Sequence, residues 1–285
     1  MNLHAPASPA ESTGPHHSSL TTPHPARIYD YWLGGKDHFA ADRKVAAEVD
    51  LHWPRAITDA QDSRSFGLRA TWYAAASCGI RQFLDIGPGL PLPDATHEIA
   101  QQASPDCRVV YADNDPLVLA HARALLAPDR NCSVVDADLR DPVALLDQAA
   151  GLLDVEAPVA VLLLAVLPFI GDAAAPASIV ATLADALAPR SVIVISALTA
   201  DCAPVPVATG TAAWNAAVTT APLIPRSRAK ITALFGGLPL QWPGVVPVTQ
   251  WRPFRRESGT APTDMLGGVA RIPAPGDEHW RNAPF

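Results

Sequence analysis

The sequence predicts an α/β protein: an open, doubly wound, mostly parallel sheet of seven strands behind an N-terminal helical extension. Three observations predict it. From Arg81 onward, short apolar runs rich in β-branched residues alternate with Ala/Leu-rich stretches of helical spacing. The runs VAVLLL (159–164) and VIVIS (192–196) are apolar on both faces, as strands covered by helices on either side must be. From about Arg27 to Cys78 the spacing is helical. Repeated strand–helix alternation implies right-handed crossovers, and such sheets bind ligands beyond the carboxyl ends of their strands, where the strand order reverses.

Taken in order, residues 1–24 are rich in Pro, Ser, Thr and His and show no apolar period, so they are expected to stay disordered. His16 and His17 have no thiol or carboxylate at ligand spacing and read as part of a solvated tail. Residues 25–78 form the helical extension, broken by Gly34-Gly35, with its last helix over Asp59–Ala76. Residues 79–285 carry the sheet. Strands are expected at Gln82–Ile86, Arg108–Ala112, Ser133–Asp136, Val159–Leu164 and Ser191–Ser196. Helices fall between them at Asp94–Ala103, Pro116–Leu126, Pro142–Ala149 and Ala174–Leu187. A Pro- and Thr-rich stretch, partly helical around Trp214, leads to a helix at Arg226–Phe235. Two late strands, Val245–Arg252 and Met265–Ile272, form an antiparallel edge pair.

Composition narrows the function. The chain has 285 residues, 49% of them hydrophobic, with 21 Lys and Arg against 28 Asp and Glu, a net charge of −7. That is enough apolar mass for a full core. It lacks the basic field that displaces counterions from phosphate, so a nucleic-acid partner is not expected. The four cysteines lie far apart without C-x-x-C spacing, which points to free, buried thiols in a reducing compartment, the cytoplasm. No secretory signal opens the chain, no apolar run is long enough to span a bilayer, and no metal-ligand spacing occurs.

The chemistry gathers at strand ends. FLDIGPGLP (83–91) is a strand ending in Asp85 and running into a tight Gly87-Pro88-Gly89 turn before a helix. Glycines there let the backbone approach a ligand closely. The dinucleotide pattern G-x-G-x-x-G fails, because Leu92 occupies its third glycine position. An acid two residues before the turn also suits a cationic ligand without phosphate, such as S-adenosylmethionine. A plain glycine-rich turn is the other reading. The second strand ends VVYADNDP, where Asp113 is placed to accept ribose hydroxyls, while Asn114 and Asp115 either join it or cap the helix that Pro116 opens. The third ends VVDADLRDP, which sets Asp138 where an adenine amino group would arrive; Asp141 reads as a helix cap.

With these motifs the chain resembles the class I S-adenosylmethionine-dependent methyltransferases, and more narrowly the bacterial S-adenosyl methyltransferase family, DUF574. The stretches that carry the resemblance run from Arg27 to the end: ARIYDYWLGGKDHFAADR, FLDIGPGLP, VVYADNDPLVLAHARALL, DLRDP, VAVLLLAVLPFI, RSRAKITALFGGL and PGVVPVTQWRP. The resemblance implies a methyltransferase that uses S-adenosylmethionine, releases S-adenosylhomocysteine and acts on a small-molecule acceptor. It implies that Asp85, Gly87, Pro88 and Gly89 hold the methionine part, and Asp113 with Asn114 the ribose. Asp138 and Leu139 would meet the adenine, and Ala165 and Val166 would line the pocket beside the sulfonium. The chain departs from the family pattern at Pro88, Leu92 and Pro168, where threonine, threonine and histidine are usual. Pro88 removes one backbone donor from the cofactor loop.

Polar and aromatic residues crowd around Gly34-Gly35, namely Arg27, Tyr29, Asp30, Lys36 and His38 with Gly35 itself. Beside a diglycine they suggest a lid over the cleft that engages ligand or substrate; an amphipathic helix with Tyr29 in the core is the alternative. No residue is nominated as a catalytic base. Two other functions stay open on the sequence: a cofactor-binding regulatory or interaction protein with little turnover, and a nicotinamide oxidoreductase.

Overall fold

Each of the five apolar runs expected as strands between Gln82 and Ser196 forms one. The structure is a computed structural model that describes residues 21–126, 129–253 and 262–276. Three helices open it, α1 (Pro25–Trp32), α2 (Ala40–His52) and α3 (Ala56–Trp72), the last continuing as a π-helical turn over Tyr73–Ser77. Strands and helices then alternate: β1 (Gln82–Ile86), α4 (Thr96–Ala103), β2 (Arg108–Asp113), α5 (Pro116–Leu126), β3 (Cys132–Asp136) and α6 (Pro142–Ala150). They continue with β4 (Val159–Leu164), α7 (Pro176–Asp185), β5 (Val192–Leu198), α8 (Pro204–Ala217), α9 (Arg228–Ala233), β6 (Val246–Pro247) and β7 (Met265–Arg271).

The strand order is β3-β2-β1-β4-β5-β7-β6, with β1 to β5 parallel and β7 antiparallel to both β5 and β6. The order reverses between β1 and β4, so the crossovers leave a crevice there. Register brings the chemistry together at that point. Ile86 pairs with Ala112 and Asp113 with Asp136, which sets the loops after β1, β2 and β3 side by side.

β1 and β5 are buried at every position, and their side chains alternate between two cores. Phe83 and Val194 face one core, which also holds Ile28, Trp32, Phe66 and Trp214 from the helical extension and α8. Leu84 and Ile193 face the other, with Leu145, Ile179 and Leu183 from α6 and α7. The helices of residues 25–77 therefore share a core with the sheet. Of the expected disordered tail, residues 1–20, with His16 and His17, lie outside the described residues, while His24 is built into the fold as the N-cap of α1.

Three expectations change, and the partial helix expected around Trp214 is extended. The late strand expected over 245–252 shrinks to Val246–Pro247, because a 3-10 turn at Val248–Gln250 takes the chain out of the sheet. The Pro-rich stretch after β5 contains α8, a helix of 14 residues, since Pro204 falls in its first turn where no amide partner is lost. The helix expected from Asp94 starts at Thr96, because Asp94 is left-handed, with φ +58°. The cysteines are all free, but only Cys107 is buried and Cys202 is exposed. Among the described residues no helix is long and apolar enough to cross a membrane.

Candidate active site

A cleft of about 440 Å³ opens over the carboxyl ends of the strands at the β1/β4 reversal, and an inner chamber of about 130 Å³ adjoins it beneath the loop after β1. Gly87 has φ +68°, and a Cβ there would stand 2.6 Å from Val166 Cγ2, so the loops after β1 and β4 meet through a position only glycine fits. Its amide donates to the Ala112 carbonyl at 2.8 Å, tying the loop to β2. Gly89 has φ +71° with open space before it. Across the cleft, Ala165 is left-handed at φ +54°, which costs about 1 kcal/mol or more for a residue with a Cβ. The neighbourhood enforces it: the Ala165 amide donates to both the carbonyl and the Oγ of Ser196, each at 3.0 Å. Ser196 Oγ is held in turn by Ser63 at 2.8 Å.

The strand-end acids differ in setting. Asp85 is buried and lines the inner chamber, where Thr96 Oγ1 donates to it at 2.6 Å. Burial pushes its pKa up to about 6, against the Thr96 hydrogen bond and the Arg64 charge. Burial also raises the Asp113 carboxyl, although the Asp115 amide donates to its Oδ1 at 2.9 Å. Asp115 caps α5, accepting from the amides of Leu117 and Val118 at 2.6 and 3.1 Å. Burial alone would raise it, but those amides and His24, whose Nε2 lies 2.9 Å from Asp115 Oδ2, bring it down to about 2. Asp138 is gripped by Arg140, with Nε at 2.9 and 3.0 Å from its two oxygens, and that contact first of all holds it at about 2. Asn114 Nδ2 also donates to it, at 3.1 Å.

The sequence profile of the S-adenosyl methyltransferase family matches residues 12–273, nearly the whole chain. The chain belongs to that family. It is an S-adenosylmethionine-dependent methyltransferase. A solved DUF574 protein from Streptomyces avermitilis MA-4680 is 37% identical, over 90% of this chain and 99% of that one, with a TM-score of 0.85. A protein from Thermobifida fusca YX, described as of methyltransferase type, is 34% identical over 92% of this chain and 100% of its own, also at 0.85. The plantazolicin methyltransferase BpumL, solved with S-adenosylhomocysteine, shares the fold at 14% identity and a TM-score of 0.50, over 87% and 95%. None of the curated proteins matches the chain.

The methyltransferase cleft fits this cofactor. It has strand-end acids for a polyhydroxylated, cationic ligand, a glycine cradle crowded by Val166, and an apolar floor at Ala137 and Leu139. Of the residues expected to bind cofactor, Gly87, Pro88, Gly89, Asp113, Asn114, Asp138, Leu139, Ala165 and Val166 all line the main cleft. Asp85 lines the chamber below it, and both oxygens of Asp138 are engaged by Arg140.

The diglycine cluster divides. Tyr29 and Asp30 line the cleft. Arg27, Gly35, Lys36 and His38 do not, and each has a local reason. Arg27 is buried, its Nε 2.8 Å from Asp42 Oδ2. Gly35 packs on the Asp30 carboxylate, which a Cβ would meet at 1.9 Å. Lys36 is exposed. His38 stacks edge-on to Tyr31 with centroids 5.1 Å apart, and its Nδ1 faces Arg43 Nη1 at 3.1 Å.

The fold adds His24, Arg64, Thr220 and Ala221 to the cleft, none of which belongs to a readable motif, and Phe169 and Ile170, which end the VAVLLLAVLPFI stretch but carried no site role in the sequence. It also brings His97 to the neighbouring pair Asp129 and Cys132, with their ligand atoms all within 4.8 Å of one another. There the Cys132 thiol donates to Asp129 at 3.2 Å, and the Tyr111 hydroxyl holds the His97 ring at 2.8 Å.

Proposed function

We propose that this methyltransferase methylates a small, largely apolar acceptor seated against Tyr29 and Phe169, and that it works in the cytoplasm. One observation carries the acceptor reading. Past the cofactor loop the cleft wall is Tyr29, Leu33, Phe169 and Ile170, with the Tyr29 and Phe169 rings edge to face at 6.3 Å and Trp214 packed on Phe169 at 5.6 Å. Such rings bind flat apolar groups well. His24, Pro25, Ala26, Thr220 and Ala221 line the same cleft and keep it at small-molecule dimensions. A net charge of −7 argues against a nucleic-acid acceptor, and four free cysteines suit a reducing compartment.

S-adenosylmethionine supplies a methyl group on a sulfonium, a leaving group that needs no covalent assistance. The chain's work is to bind, align and exclude water. Asp113 would accept hydrogen bonds from the ribose hydroxyls, Ala137 and Leu139 would floor the adenine, and the Gly87–Gly89 loop with Asp85 would hold the methionine end. Ala165 and Val166 would line the pocket beside the sulfonium, where alignment contributes up to about 7–11 kcal/mol in ideal cases. No base is assigned. Burial drives the Tyr29 hydroxyl pKa upward, so it stays protonated. The Asp30 carboxylate accepts from the Asp37 amide at 2.9 Å and packs on Gly35.

The test is incubation with methyl-labelled S-adenosylmethionine and a native cell extract split by ultrafiltration. Label should enter the small-molecule fraction, extractable into organic solvent. Label confined to protein or nucleic acid would overturn the acceptor reading, and no turnover with intact cofactor binding would favour a regulatory protein.

A further inference from the structure

Arg64, on α3, lines both the main cleft and the inner chamber. Its Nη2 donates to the carbonyls of Pro93 and Asp94 at 2.5 and 3.3 Å, so the guanidinium is fixed on the loop that follows the glycine turn. Other arginines of the fold have carboxylates: Arg27 pairs with Asp42, Arg55 with Asp264, Arg140 with Asp138 and Arg226 with Asp172. Among the described residues Arg64 has no carboxylate within 4 Å; Asp85 first, then Asp94 and Glu98, act on it only at longer range, and burial outweighs them. Burial lowers its pKa, but a guanidinium keeps its charge. A half-buried cation tied to two neutral carbonyls is under-compensated, and a ligand carboxylate would complete it with charge-assisted hydrogen bonds.

We propose that Arg64 binds the carboxylate of the cofactor's amino-acid end, with Asp85 beside it for the ammonium. The proposal rests on the cofactor assignment and deepens it by naming the residue that reads the amino-acid half. The two charges match an α-amino acid in sign and order: Asp85 lies in the chamber below the glycine turn, and Arg64 spans chamber and cleft. Arg140, the other arginine of the cleft, is committed to Asp138 at the adenine end. Arg64 is thus placed to distinguish S-adenosylhomocysteine from adenosine derivatives without a carboxylate.

The experiment is isothermal titration of the wild-type protein, Arg64→Gln and Arg64→Lys with S-adenosylhomocysteine and its decarboxylated analogue. The wild type should prefer S-adenosylhomocysteine by roughly 10- to 100-fold, the worth of hydrogen bonds to a charged group. Arg64→Gln should lose most of that preference while binding the decarboxylated analogue within about twofold of wild type. Arg64→Lys, which keeps the charge without the fork, should lose part of it and covers the case of a misfolded glutamine variant. Equal weakening of both ligands, or an unchanged preference, overturns the proposal. A wild type that binds both ligands equally overturns it too, with the cofactor assignment intact; a wild type that binds neither overturns the cofactor assignment itself.

Discussion

Asp113 and Asp115 stand two residues apart at the end of β2, yet their surroundings give them different work. Asp115 is occupied by two helix amides and His24, whereas Asp113 turns its buried carboxylate toward the cleft. Asp113→Asn is expected to weaken S-adenosylhomocysteine binding at least tenfold by titration, with little change in a denaturant melt. Asp141 is the contrast, a cap that accepts from the Ala144 amide at 3.1 Å. Asp141→Ala should cost about 1 kcal/mol in the melt and leave affinity alone. Equal affinity in wild type and Asp113→Asn would remove that residue from the site. Asp85 yields a pH prediction. Its folded pKa of about 6 lies above the ordinary carboxyl value, so the native state holds its proton more tightly than the unfolded chain does. Stability from this group is full below the unfolded pKa near 4 and is lost as pH rises through 6. Asp85→Asn, which can still accept from Thr96, should melt higher than wild type at pH 7.5, by an amount on the order of 1–3 kcal/mol, with the gap closing at pH 4. A gap that is the same at both pH values would show that burial is not what raises the acid.

At the scale of the element, α1 decides how the cleft is walled. Its sequence has the composition of a lid, but its attachments are those of a buttress. Asp42 accepts from Arg27 Nε, the His24 amide and the Phe39 amide, at 2.8, 2.9 and 2.8 Å, while Ile28 and Trp32 lie in the core. Removing one partner of a buried ion pair typically costs about 3–5 kcal/mol, so Asp42→Ala should destabilise the protein by that order in a urea melt. The same pins favour a fixed wall. In hydrogen exchange, S-adenosylhomocysteine should protect the loop from Gly87 to Leu92 and the turn from Asp113 to Asp115, while α1 is equally protected with and without ligand. Protection that rises across Tyr29–Phe39 would restore the mobile lid.

For the whole molecule, the cleft proposed to take the cofactor is lined by the helical extension and by four strand ends, so ligand should stabilise the fold as one unit. At about 100 times its Kd a native-state ligand adds ~2.7 kcal/mol. For a chain of this size that is a rise in Tm of roughly 5–10 °C. S-adenosylmethionine and S-adenosylhomocysteine should each produce it in a thermal-shift assay, and NAD should not. A shift with NAD alone would contradict the site as drawn.

What the sequence determined by itself is what local physics encodes. Two-sided apolar runs gave the strands, the Asp85-x-Gly87-x-Gly89 turn and the acids at 113 and 138 gave residues that line the cleft and its inner chamber, and their order along the chain gave the family. Proline and glycine preferences placed caps such as Asp141 correctly for the same reason: a cap depends on its next few residues. Tertiary structure decided everything that depends on partners far along the chain. Nothing near Arg27 announces Asp42 as a buried partner, so a lid residue became an anchor. Nothing in the helix around Arg64 shows that its guanidinium reaches the loop at Pro93 and Asp94. The aromatic contact joins Tyr29 to Phe169 and Trp214, which meet only because α1 and α8 cover the same face of the sheet. A periodic pattern can say which face of a helix is buried; which side chain waits on the other side is settled when the sheet closes the distance.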